Sequence, residues 1–588
     1  MTTVTATPLL AKGGAFLMEE RAPKEIFTAE DLNDEHLAIA RTIDEFWTNE
    51  VESNLESIRQ QKPGVALKIL RISAELGLTA INIPERFGGM EMDFASVMIA
   101  SEHLAKDPSY GSWHSAHTGI GTLPVLFFGT EEQKQRYLPR LAKVELLAAY
   151  ALTEPLAGSD ALAARTRADL SSDGKYYILN GQKMWITNGG AADLFTVFAK
   201  VAGEKFTAFL VERSFPGVTS GAEEHKMGIK GSSTTAVYFD NVKVPVENVL
   251  GEIGRGHIIA FNILNIGRLK LGAGALGGAK KVLGICLKYA QERKAFGSAI
   301  AQFGAIQHKL AEMAIRIFAV ESMVWRVVGL IESQLQHSAH EQSLQSASEL
   351  KAIEEYAAEC SMVKVYASEM LDYVVDEGVQ IHGGYGYHQD YAVEAAYRDS
   401  RVNRIFEGTN EINRLLITGM LLKRAARGQL ALMPAVQELL SQGTGEVSPD
   451  TDEETRLVKN GKKIALFMVG LAYQKYRAEL EKQQEVLMNI SDIVMEVFAM
   501  ESTMLRTRKL AASGKGTNAS DMCAVFLRDA MDRVEISSRK IIGTCSQDNT
   551  RRDNLAAVRT LADYDPLDSI SLRRNIAGNL LATGSYMV

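Results

Sequence analysis

Two short segments carry side chains suited to holding a polar, planar ligand. Tyr150-Ala-Leu152-Thr153-Glu-Pro-Leu-Ala-Gly158-Ser159-Asp160 offers hydroxyls, a turn-forming proline, a glycine and a Ser-Asp pair where a helical pattern gives way to strand. Alone it reads as a turn. Met184-Trp185-Ile186-Thr187-Asn-Gly-Gly190 adds an indole to lie against a planar ring, with hydroxyl and backbone N–H groups for a heterocycle edge. Trp185 on its own reads better as a core aromatic. A third pattern, Gly272-Ala-Gly274-Ala-Leu-Gly277, matches the G-x-G-x-x-G dinucleotide fingerprint, with Glu292 beyond it. That fingerprint needs a preceding strand, whereas apolar residues at 259, 263, 266 and 269 keep helical spacing, so these glycines read as sites of close helix packing. The four cysteines, Cys286, Cys360, Cys523 and Cys545, form no C-x-x-C motif. No metal site or disulfide framework is indicated, and a reducing compartment is expected.

These groups must be positioned by a chain of 588 residues, about four units at ~150 residues each. Hydrophobic residues at 46%, charged residues at 23% and only 13 prolines indicate folding throughout and exclude a disordered or collagen-like chain. With 64 Lys and Arg against 72 Asp and Glu, the net charge of −8 gives no reason to seek nucleic acid. The N-terminus lacks a basic stretch followed by an apolar core, so secretion is not indicated. The apolar run Ile464 to Tyr473 is half the ~20 residues a membrane helix needs and reads as a buried helix, with no transmembrane segment expected.

The periodicities predict a multidomain α+β protein. Residues 25–147 read as an N-terminal helical domain, with a capping-box pattern at Thr28 and Leu37, Ala40, Ile43, Phe46 and Trp47 at helical spacing. Residues 148–258 turn to strands: Tyr176 to Leu179, a hairpin at Asn180-Gly181, Gln182 to Thr187, then Asp193 to Val201, Phe206 to Glu212 and Thr234 to Val242. Their close spacing leaves no room for crossover helices, which predicts an antiparallel barrel or sandwich. Residues 259–427 read as a helical bundle, 428–455 as a linker marked by Gly443, Gly445, Pro449 and an acidic run, and 456–588 as an additional helical domain.

With Gln291-Glu-Arg293-Lys-Ala-Phe296-Gly297, Gln380-Ile-His-Gly383-Gly384-Tyr-Gly386 and Arg404-Ile-Phe-Glu407-Gly408-Thr409-Asn410, the first two segments resemble the flavin-dependent acyl-CoA dehydrogenases. The matches follow family order over roughly residues 30–420. The unit beyond 455, with Phe261-Asn-Ile-Leu-Asn-Ile-Gly-Arg268, resembles the very-long-chain branch and its C-terminal helical extension. The resemblance implies FAD-dependent α,β-dehydrogenation of medium- to long-chain fatty acyl-CoA to trans-2-enoyl-CoA in β-oxidation, with hydride passing to flavin N5.

It also implies that Glu407 is the base that abstracts the α-proton. A carboxylate flanked by Ile405 and Phe406 and desolvated in an apolar pocket suits that task, and Gly408 lets substrate approach the backbone. An isolated Glu-Gly would otherwise read as a surface turn. Some members place the base just before the arginine matching Arg268, where this chain has Gly267, which leaves Glu407. The Glu407 N–H would help stabilise the thioester oxygen.

By the same resemblance, FAD would be held by Tyr150, Leu152, Thr153, Gly158, Ser159, Trp185, Ile186, Thr187, Arg293, Phe296, Gln380, Ile381, His382, Gly383, Gly384, Thr409, Asn410 and Glu411. Arg293 would face the pyrophosphate of a neighbouring subunit's FAD. Ser159, Asn265, Arg268 and Gly408 resemble acyl-CoA contacts, Asn265 standing where medium-chain relatives carry an aspartate. Trp113 puts bulk near the expected acyl-pocket floor, or is core. The implied partners are acyl-CoA and electron transfer flavoprotein, in a homodimer whose extension covers the surface a second dimer would use. Arg456, Lys459, Lys462 and Lys463 form either a peripheral contact with an anionic membrane or a solvated face. Implied locations are the bacterial cytoplasm or the mitochondrial matrix side. Two other readings stand beside this one: an acyl-CoA oxidase-like flavoenzyme, and a non-catalytic helical assembly factor on the same fold.

Overall fold

The computed structural model describes residues 10–339, 345–442 and 451–588. Its first long helix, Asp34–Phe46, starts where Asn33 accepts the His36 N–H at 2.9 Å, and it turns Ile43 and Phe46 inward. Thr28 opens only a single turn, Ala29–Asp31, in which Asp31 accepts the Thr28 N–H at 2.7 Å. Phe94–Leu104 and Pro108–Ser115 follow and form one wall of the cavity described below.

The chain then forms β1 (Ala148–Ala151), β2 (Arg167–Leu170), β3 (Tyr176–Thr187), β4 (Leu194–Val201), β5 (Lys205–Glu212), β6 (Val218–Glu223), β7 (Thr234–Pro245) and β8 (Val249–Leu250). They make one sheet in the order β6-β7-β3-β2-β4-β5-β8, with β1 on β4. The expected antiparallel barrel or sandwich needs correction on two points. β4 pairs in parallel with both β1 and β2. Parallel neighbours require a long crossover, and here β3 and its turns supply that length in place of a helix. Among the described residues no pairing joins β6 to β8, so the sheet stays open.

The Asn180-Gly181 hairpin is also corrected, because β3 runs straight through both residues with a bulge. A Cβ at Gly181 would lie 2.8 Å from Thr166 Cα, so this glycine permits close approach of the chain entering β2 rather than a turn. Asn180 bridges the irregularity, its Oδ1 accepting the Asn241 N–H of β7 at 2.9 Å.

Beyond the sheet, the 37-residue helix Gly256–Glu292 is the axis of the molecule. It packs on Phe94–Leu104, Gly304–Ala339 and Ala357–His382. Its G-x-G-x-x-G stretch is helical throughout. A Cβ on Gly277 would run into the Glu102 carbonyl, one on Gly272 would overlap Val363, and one on Gly274 would press on Ala105 at 3.1 Å. The glycines therefore set helix spacing.

The helix Leu432–Gln442 occupies the early part of the segment read as a connection, while Gly443, Gly445, Pro449 and Asp450 lie outside the described residues. Helices Glu453–Tyr476, Gln484–Ala512, Thr517–Cys545, Asp548–Ala562 and Ser569–Thr583 complete the chain. Ile464 to Ala472 is buried within the first of these. Lys462 points inward to Glu501 and the Glu19 carbonyl, Lys459 pairs with Glu20 at 2.8 Å and Arg456 with Glu453 at 2.7 Å. Among the described residues no helix is long and apolar enough to cross a membrane.

Candidate active site

Glu407 stands in a tight turn ahead of the helix Asn410–Ala426, with φ of 57° followed by 78° at Gly408. A left-handed glutamate is strained and persists only where its surroundings over-determine it. Here Asn413 Nδ2 donates to the Glu407, Gly408 and Thr409 carbonyls at 3.3, 2.8 and 3.0 Å. Arg268 Nε donates to the Glu407 carbonyl at 3.2 Å, and Lys364 Nζ to the Gly408 carbonyl at 2.8 Å and to Asn410 Oδ1 at 2.7 Å. Thr409 caps the helix through Ile412 N–H.

The Glu407 side chain is laid against the backbone of Gly267, whose missing Cβ would be 2.8 Å from Oε2. Any larger residue at 267 would evict the carboxylate. Oε2 is buried and has no hydrogen-bond partner among the described residues. Burial pushes the carboxyl up to about 7, against the opposing pull of Arg268, Lys364 and Lys270.

The carboxylate opens into a cavity of about 240 Å³. One face of the Gly256–Glu292 helix lines it, through Gly267, Lys270, Gly274, Gly278, Val282 and Ile285. At 1.5 Å per residue that face spans about 27 Å. Phe94, Val97, Leu123, Phe127, Leu371 and Val375 supply most of the apolar walls, and Thr187 and Phe406 border it beside Glu407. Trp113 is core: it is buried, and its indole N–H donates to the Gly231 carbonyl at 3.0 Å.

Of the sheet residues in the two motifs, Thr187 lines this cavity. Trp185 is 59% exposed and adopts φ of 57°, a conformation that presents its ring to solvent rather than to the core. Ile186 beneath it is buried. Tyr150 is buried with its hydroxyl unpartnered among the described residues. Ser159 and Gly158 are exposed on the turn that Leu152 and Thr153 enter.

That turn is anchored by a pair the sequence reading missed. Lys183 Nζ, fully buried, donates to the Leu152 carbonyl at 3.0 Å and to Glu154 Oε1 at 2.6 Å, while Glu154 accepts the Arg165 and Thr166 N–H groups. The signal was available. Lys183 shares strand parity with the inward Tyr177 and Leu179, and an inward lysine requires a buried partner.

Asn265 spends its Oδ1 on Arg268 Nη1 at 2.6 Å, so both act first to brace the Glu407 turn. A second cluster lies elsewhere. Arg293 sits 5.3 Å from the Tyr385 ring centroid, His382 stacks on Tyr289 at 3.9 Å, and Phe296 is 97% exposed. Gln380, Gly383 and Gly384 are exposed and Ile381 is buried. Arg293 follows Gly267 by about 39 Å of helix, so the structure separates this group from Glu407 within one chain.

Known proteins resemble this chain along most of its length. The family profiles for the acyl-CoA dehydrogenase N-terminal domain match residues 33–145, the middle domain 149–242, and two C-terminal domains 254–422 and 460–560. A probable acyl-CoA dehydrogenase of Bacillus subtilis is 45% identical over 98% of both chains. The mitochondrial very long-chain specific acyl-CoA dehydrogenase of Rattus norvegicus is 35% identical over 78% of this chain and 73% of its own. The crystal structure of an acyl-CoA dehydrogenase complexed with FAD from Bacillus anthracis superposes with a TM-score of 0.97 at 45% identity, covering 98% of this chain and all of that one.

Proposed function

The chain belongs to the acyl-CoA dehydrogenase family, and from that premise we propose that it converts medium- to long-chain fatty acyl-CoA to trans-2-enoyl-CoA, with Glu407 as the α-proton base. The observation that carries this reading is the Glu407 carboxylate, desolvated against Gly267 at the head of a long apolar cavity. FAD fits the residues present: the exposed Trp185 ring offers a stacking face, and no atom lies within 4 Å of a Cβ placed on Gly158, Gly383 or Gly384. Trp185 to Thr187, Tyr150 to Ser159 and Thr409 to Glu411 hold it. When bound, FAD supplies the hydride acceptor for the β-hydrogen.

The chain's own groups do the rest. Glu407, ionised above about pH 7, takes the α-proton on its unpartnered oxygen. Its N–H, on a turn held by Asn413 and Arg268, is aimed at the thioester oxygen and stabilises the charge that develops there. The cavity walls exclude water and align the acyl chain along the Gly256–Glu292 helix. Ser159 and Gly408 flank the thioester. Arg293, Phe296 and Gln380 to Gly384, far along the helix from Glu407, would serve the FAD of a second copy, which makes the working unit a homodimer that passes electrons to electron transfer flavoprotein.

Anaerobic mixing of the holoenzyme with acyl-CoA of graded chain length, followed at the flavin absorbance, tests the reading. Glu407→Gln should keep its FAD and bind acyl-CoA yet lose bleaching by at least about a hundredfold. Bleaching near the wild-type rate in this variant would defeat it.

A further inference from the structure

Three cations surround Glu407, and they are not equivalent. Arg268 and Lys364 spend their donors on the Glu407 and Gly408 carbonyls and on the amide oxygens of Asn265 and Asn410. Neither lines the cavity. Lys270 does. It stands one helical turn beyond Gly267 on the face that seats the carboxylate, and its chain lies across the cavity over Gly119, where a Cβ would be 3.3 Å from Nζ. Its hydrogen bond is a long one, to Thr118 Oγ1 at 3.3 Å. An ammonium on the mostly apolar wall of this cavity is costly unless a group of opposite charge offsets its desolvation.

We propose that Lys270 is a positioning residue for the reaction: its ammonium is the counter-charge of the Glu407 carboxylate inside the acyl cavity and keeps that base ionised. This rests on the reading of Glu407 as the base. The cavity is also lined by Arg59, Lys106, Asp107, Lys281, Glu349 and Asp399, with burial raising the Glu349 carboxyl to about 7 and that of Asp399 to about 6, but the charges acting on Glu407 are those of Arg268, Lys364 and Lys270, and the one acting on Lys270 is that of Glu407. Tyr150 is buried beside Glu407 as a neutral phenol, and burial holds His114 and His117, the titratable neighbours of Lys270, neutral as well. Burial pushes Lys270 down to about 8, with Glu407 opposing, so the lysine carries charge where the carboxylate ionises.

The test is single-turnover flavin reduction by a saturated acyl-CoA, measured with holoenzyme between about pH 5.5 and 9. Removing a nearby cation favours the protonated carboxyl, so Lys270→Met should move the acid limb up by about one pH unit. The rate should then fall up to about tenfold near pH 6 and much less near pH 8.5. Lys270→Arg should restore the wild-type limb, and Lys270→Gln serves if the methionine variant misfolds. Slowing by one constant factor at every pH, or a limb that stays in place, would overturn the proposal. Glu407→Gln separates the two failures: an active variant removes the base assignment itself, whereas an inactive one beside an unmoved Lys270→Met limb removes only the role of Lys270.

Discussion

At the scale of single residues, the base is held at a thermodynamic loss. Its carboxyl rises from 4.5 to about 7 on folding. A carboxylate whose folded value is raised destabilises the native state increasingly as pH climbs from the unfolded value to the folded one, and by a constant amount above it. For Glu407 that amount is up to about 3 kcal/mol. Glu407→Gln should therefore raise the melting temperature of the flavin-free protein at pH 8, with the advantage disappearing as pH falls below about 4.5. Scanning calorimetry across that range checks it, and equal melting temperatures at pH 8 would place the carboxylate in a wetter setting than the Gly267 contact describes.

At the scale of elements, the Gly256–Glu292 helix offers a matched pair of substitutions. Gly277 approaches Glu102 so closely that an added methyl must push two helices apart, whereas a Cβ on Gly284 meets nothing within 4 Å. Gly277→Ala should destabilise by about 1–3 kcal/mol through overpacking, and Gly284→Ala should stabilise by up to about 1 kcal/mol through helix propensity. Chemical denaturation of both variants reads the contrast. Similar shifts of one sign would mean that propensity, not packing, governs this helix. The same element shows why local pattern misleads: G-x-G-x-x-G matches phosphate-binding turns, yet only the helix periodicity on either side of it identified the packing role.

At the scale of the whole molecule, buried charges tie the three helical regions together. Arg506, 2% exposed on the side chain, pairs with Glu30 near the N-terminus at 2.6 Å and with Glu321 of the Gly304–Ala339 helix at 2.7 Å. Glu321 also meets Lys280 and the Tyr586 hydroxyl, and Arg326 pairs with Glu501 at 2.7 Å. Truncation after Arg427 would strand Glu30 and Arg326, leave Glu321 only Lys280, and bare the apolar surface under Gln484–Ala512. Light scattering should find a dimer for the intact chain and tetramers or aggregates for the truncated one. A truncated protein that stays a clean dimer would show that the extension is not needed to cover this surface.

The sequence by itself determined the succession of helical, strand and helical regions, because periods of 3.6 and 2 are local properties that survive without tertiary context. It also determined the family, since Tyr150 to Ser159, Trp185 to Thr187 and Arg404 to Asn410 each keep their chemistry within a few residues. Tertiary structure alone decided the rest. Parallel pairing of β1 and β2 with β4, the bulge at Asn180-Gly181 and the Lys183–Glu154 anchor depend on residues distant in sequence. So does the character of Glu407. Its proton affinity is raised by burial and held in check by Arg268, Lys270 and Lys364, brought around it from two other helices, and desolvation is a property of the packed surroundings rather than of the residue.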